Sequence, residues 1–123
     1  MAVLLAHHDP ASQAMTITAK IQANGATVAL LCERAQLWRT LSKPHLAIQD
    51  YRDAVALEPK SVSMRLKLAQ TCYADNELKA AFQETEDALS MSPQPGEKAS
   101  LLMLRASIYL VWKSYKKAAE EAE

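Results

Sequence analysis

The chain repeats itself at a spacing of 34 residues. Ala54-Val55-Ala56-Leu57-Glu58-Pro59 is answered by Ala88-Leu89-Ser90-Met91-Ser92-Pro93, which sets the two prolines 34 positions apart. Ala47 and Ala81 stand twelve residues before each proline, and Ala35 and Ala69 twenty-four before. A third copy fits around Ala106 and Ala118, displaced by three extra residues in the linker Ser92-Pro93-Gln94-Pro95-Gly96. A period of this length marks a stack of small units, each with an apolar face that only its neighbours can cover.

The unit is helical. Ala, the best helix former, occurs 22 times and Gly only 2 times, which excludes Gly-rich phosphate loops and a turn-rich all-β fold. Thr27 is an N-cap for a helix over 28–41, in which Leu31, Ala35 and Trp38 form one stripe at i, i+4 and i+7. Pro44 suits the first turn of a helix over 44–57, with Ala47, Tyr51, Ala54 and Val55 on the facing stripe. Ser61 caps a helix over 62–74, and a helix over 77–90 follows. Helices over 97–112 and 114–123 complete the set. Alanine against alanine lets paired antiparallel helices approach closely. Before the repeats, Asp9-Pro10 starts a helix over 10–23, with Ala14, Ile17 and Ile21 as its stripe and Asn24-Gly25 as its stop. This helix is expected to pack on the first unit and cover that end of the stack.

Small residues at these offsets in a 34-residue period resemble the tetratricopeptide repeat (TPR). The first unit supplies Leu31, Ala35, Trp38, Ala47, Tyr51, Ala54 and Pro59. The second supplies Leu68, Ala69, Ala81, Ala88 and Pro93, with Arg65, Cys72 and Thr85 at sites that are usually bulky and apolar. The third supplies Leu102, Ala106, Tyr109, Tyr115 and Ala118. The resemblance covers about residues 28–123. It implies an all-α, right-handed superhelix of antiparallel hairpins, with about three repeats, the last truncated, and an extra N-terminal helix. The expected division is 1–27 for the N-terminal segment and 28–61, 62–98 and 99–123 for the repeats. Glu123 falls in a helix with no cap or closing proline, which suggests a chain cut short or an end completed by another chain.

Two charged residues break the apolar pattern in the same place. Arg34 and Arg105 precede the small alanine of the first helix of a repeat, and Asp50 and Glu121 stand sixteen residues later. An Arg–carboxylate bond across each hairpin, Arg34 with Asp50 and Arg105 with Glu121, is one reading; the other is an arginine whose stem packs while its head reaches water. In the repeat frame Cys72 takes the core site of Trp38 and Tyr109, while Cys32 lies toward the inner face. Their different roles argue against a mutual disulfide.

The chemistry-bearing residues form no catalytic pattern. GxSxG, HExxH, Walker and Rossmann motifs are missing from the sequence. His7-His8-Asp9 are consecutive, and consecutive side chains point in different directions, so they are expected to be a solvated terminus. No CxxC or Cys/His cluster has zinc spacing, so no metal or other cofactor is expected. Lys plus Arg is 14 and Asp plus Glu is 14, without the basic surplus that nucleic acid or anionic lipid would require. No apolar run is long enough to span a bilayer, and residues 1–6 lack the basic flank of a signal peptide. The compartment is left open, with a lean to cytoplasm.

The resemblance implies a groove lined by the first helix of every repeat. Its inner positions here include Cys32, Gln36 and Arg39, then Lys67, Gln70 and Tyr73, then Met103 and Ser107. These are the expected contacts for a protein or peptide. The positions where one subclass grips a C-terminal carboxylate read Cys32, Gln36, Lys67, Ser100 and Leu104, so that clamp is missing. The expected function is a non-enzymatic scaffold. The alternatives are a self-associating module, a homodimer through the uncapped C-terminal helix, and an accessory repeat region of a larger enzyme or complex.

Overall fold

The computed structural model describes residues 9–122. The expectations for residues 1–6, His7, His8 and Glu123 lie outside these residues. Among the described residues there are six helices: α1 Pro10–Asn24, α2 Val28–Thr40, α3 Pro44–Leu57, α4 Val62–Ala74, α5 Leu78–Leu89 and α6 Pro95–Ala122. Each packs on the next in chain order, and α4 also packs on α6. Consecutive packing of this kind builds a stack rather than a closed bundle.

The starts and stops are local. Asp9, Thr27 and Ser61 each accept a hydrogen bond from the backbone N–H three residues on, at 2.8, 3.2 and 3.2 Å. Pro10 and Pro44 occupy first-turn positions. Gly25, at φ 91°, donates its N–H to Ile21 and ends α1. The two hairpin turns are alike. Ser42 and Asn76 adopt φ of 58° and 60°, and the next residue in each case, Lys43 or Glu77, donates to the carbonyl five residues back at 2.8 Å. This is the Schellman arrangement, with a left-handed residue just past the helix end.

The core follows the repeat. Ala35, Ala47, Ala69 and Ala81 are all fully buried, so both hairpins close on alanine. Around them Leu31, Tyr51, Leu68, Leu101 and Ile108 are sealed from solvent, each contributing roughly 1.5–3 kcal/mol by burial. Ala14 and Ile17 of α1 are buried, and α1 packs against α2.

Repeat two accommodates its polar substitutions by local bonds. Thr85 is buried and donates to the Ala81 carbonyl at 2.7 Å, and Thr71 donates to Lys67 at the same distance. Arg65 donates to Glu84 and to the Pro59 carbonyl, both at 3.0 Å. Glu84 lies 34 residues after Asp50, so the acid keeps its register while its arginine moves one turn along α4.

The C-terminal part differs from the expectation of two helices. No turn forms near 113, and α6 runs unbroken from Pro95 to Ala122. Lys113 stands where Ser42 and Asn76 turn left-handed, and Tyr115 stands where Pro44 begins α3. Lysine there is a good helix former with no preference for the left-handed region, so the helix continues. Two consequences correct the sequence reading. Arg105 donates to Glu86 of α5 at 3.1 Å instead of to Glu121, because sixteen residues along a straight helix is about 24 Å. Ala106 is exposed, unlike Ala35 and Ala69, and Tyr109 is 51 % exposed.

Candidate partner-binding groove

Helices α2, α4 and the first half of α6 are the first helices of successive repeats. The expected inner positions fall on them at one-turn intervals. Gln36 and Arg39 are exposed on α2 and line a shallow depression with Thr40. Gln70 of α4 comes together with Ser100, Met103, Leu104 and Ser107 of α6 in a groove of about 230 Å³. Met103 is 71 % exposed at its rim, and Ser107 donates its hydroxyl to the Met103 carbonyl at 3.0 Å. Cys32, Lys67 and Tyr73 line neither hollow and are half-buried.

Cys32 and Tyr73 pack against the core. The Cys32 sulfur meets Met64 Sδ at 3.0 Å across α2 and α4. Burial pushes its thiol up, while the nearby Lys67 ammonium pulls the other way. Tyr73 packs against the main core cluster. Cys72 is fully buried, and desolvation raises its thiol to about 11. Both cysteines are free thiols. Tyr51 is sealed in the core, its hydroxyl has no hydrogen-bond partner among the described residues, and burial pushes it up. The Arg39 guanidinium lies near enough to draw it back down.

The face is mixed in character. Its basic groups, Arg39 and Lys67, lie toward α2 and α4, and its exposed apolar groups, Met103 and Leu110, lie on α6. A larger hollow of about 580 Å³ lies at the α4–α5 turn and the start of α5, lined by residues between Asn76 and Gln83. Only the turn residue Asn76 marks that region in the sequence. His45 is exposed. Among the described residues, no cluster of three or more His, Cys, Asp or Glu is arranged to hold a metal ion, and no helix is long and apolar enough to cross a membrane.

Comparison with solved structures settles what this arrangement is. The crystal structure of the P58(IPK) TPR domain superposes with a TM-score of 0.75 at 17% sequence identity, over 97% of this chain. The chain has the TPR fold. It spans 33% of the P58(IPK) chain, so the likeness covers a third of that TPR domain. No protein-family model and no curated protein matches the sequence. In TPR terms α2–α3 and α4–α5 are complete repeats, and α6 is the first helix of a third repeat that runs on without turning.

Proposed function

We propose that this chain is a non-catalytic scaffold that binds an extended peptide or helix of a protein partner along the face formed by α2, α4 and the first half of α6. The observation that carries the reading is the groove between α4 and α6, where Gln70 faces Met103 and Ser107. Cys32, Gln36, Arg39, Lys67 and Tyr73 extend the same face. Its two ends differ, so the proposed partner places acidic side chains near Arg39 and Lys67 and an apolar one near Met103. Polar and aromatic groups fix register, and the apolar end supplies area. Cys32 is no nucleophile in this reading, since its burial works against the thiolate. The proposal divides the chain into a covering segment, 1–27, and repeats 28–61, 62–98 and 99–123. It puts the protein in the cytoplasm, where both thiols stay reduced.

The test is selection from a random peptide library, followed by titration of the selected peptides by calorimetry. Peptides pairing acidic and apolar residues are expected. Arg39→Glu/Lys67→Glu is expected to weaken them at least tenfold. Unchanged affinity in that variant refutes the groove.

A further inference from the structure

The side of α6 turned away from the stack is apolar at its middle. Leu101, Leu104 and Ile108 are buried toward α4 and α5, and a step of about 100° per residue turns Ala106 away from all three. Around the exposed Ala106 stand Leu102 and Met103, four and three residues before it, and Tyr109 and Leu110, three and four after. These four are 38, 71, 51 and 66% exposed. They make up four of the seven large apolar side chains that stand exposed among the described residues. Together they offer on the order of 500 Å², the size of apolar patch that marks an interaction site. No charge interrupts them. Arg105 lies on the flank, held by Glu86 at 3.1 Å, and the next charges along the helix are Lys98 and Lys113. The Tyr109 ring is already fixed against Phe82 and Trp112, with centroids 5.6 and 6.1 Å away.

We propose that this face binds a second copy of the chain, its α6 antiparallel to the first and crossing it at Ala106. The patch is its own complement. By helix phase Leu102 and Tyr109 lie on one flank of Ala106, and Met103 and Leu110 on the other. A two-fold axis at Ala106 sets Leu102 against Tyr109 of the second copy, and Met103 against its Leu110, each contact made twice. Ala106 meets Ala106 at the crossing, where a small side chain lets the backbones approach. The rows 102–106–110 of the two helices interlock, a packing that inclines the axes by about 50°. That inclination carries Lys116 and Lys117 of one copy clear of Lys98 of the other. Each body sits behind its own α6, so the two lie on opposite sides of the contact. One stripe of one helix face suffices, and nothing is asked of residues beyond Lys113. A different partner would have no need of a patch whose two halves match. The pair buries about 1,000 Å², the lower bound for a specific interface, so the dimer is expected to be reversible. The inference does not rest on the groove, since only Met103 also lines the hollow between α4 and α6.

Two measurements test it. Sedimentation equilibrium from about 1 μM to about 1 mM is expected to show the mass rising from one chain to two. Ala106→Glu, which sets two carboxylates at the axis from an exposed helical position, is expected to stay at one chain mass with unchanged helicity. Arg39→Glu/Lys67→Glu is expected to dimerise like the wild type, so that loss of the groove and loss of the dimer are separate results. A wild type that stays at one chain mass throughout, growth beyond two chains, or an Ala106→Glu dimer as tight as the wild type overturns the proposal. Independently, Ala106→Cys in a Cys32→Ser background is expected to oxidise to a covalent dimer, because the axis brings each new thiol to its own copy. Ala56→Cys in the same background, exposed on α3, is expected to cross-link at least tenfold more slowly. Equal rates at the two positions overturn the proposal.

Discussion

Arg34 and Asp50 meet at two points across the first hairpin. Arg34 Nε donates to Asp50 Oδ2 at 2.9 Å, and Nη2 donates to Oδ1 at 2.7 Å. Thr18 of α1 accepts a third bond, from Nη1 at 3.0 Å. The Asp50 side chain is only 4% exposed and the Arg34 side chain 17%. The hydrogen bond to Asp50 is the main influence raising the Arg34 pKa. The pair ties α2 to α3, and the threonine ties both to α1.

Removing one partner leaves a charge with nothing to answer it. Asp50→Ala is expected to destabilise the chain by about 3 kcal/mol, since breaking a buried pair costs more than the pair contributes. Arg34→Met/Asp50→Leu is expected to lose less than Asp50→Ala alone. Urea denaturation of the three proteins checks the order. If the double variant is the least stable, the contact is stabilising outright.

Close helix approach depends on alanine at Ala47 and Ala81. Ala47→Leu is expected to cost about 2 kcal/mol through overpacking. Ala56→Leu, on the exposed side of the same helix, is expected to change stability by less than about 0.5 kcal/mol. Thermal melts distinguish them, and equal effects contradict the hairpin.

The turn at Asn76 uses a positive φ. Asn76→Ala and Asn76→Gly both lose the bond that the Tyr115 hydroxyl donates to Asn76 Oδ1 at 3.3 Å, and Asn76→Ala is expected to be the less stable of the two by about 1 kcal/mol. Denaturant midpoints of the two variants give the comparison.

Cys72 sets a pH dependence. Its thiol is raised from 9.0 to about 11 by burial. The unfolded chain therefore releases this proton first, and the folded chain binds more protons between those values. The stability contribution is complete below about pH 9 and is lost as pH rises toward about 11. Its size is about 3 kcal/mol. Cys72→Ala is expected to flatten that decline. In the native wild type, thiol reagents are expected to modify Cys32 well before Cys72.

The helix starts at Thr27, Pro44 and Ser61 were legible because an N-cap or a first-turn proline acts within one turn of itself. The Arg34–Asp50 contact was legible because a hairpin with one known register fixes which residues face each other. The Arg65–Glu84 bond was not foreseen, although acids 34 residues apart at Asp50 and Glu84 marked half of it. An arginine side chain spans a full helical turn, so the register names its acid more readily than its own position.

The repeat period, the helical class and the hairpin registers were written in the linear order of residues, because each depends on groups within one or two turns. Whether the third repeat would close was not. Lys113 permits a helix without requiring one, and a turn there would be stabilised only if the helix beyond it gained more by lying on Ala106 than by continuing straight. That balance is struck in three dimensions. It left Arg105 with Glu86, left Ala106 in the open, and placed Gln70 opposite Met103.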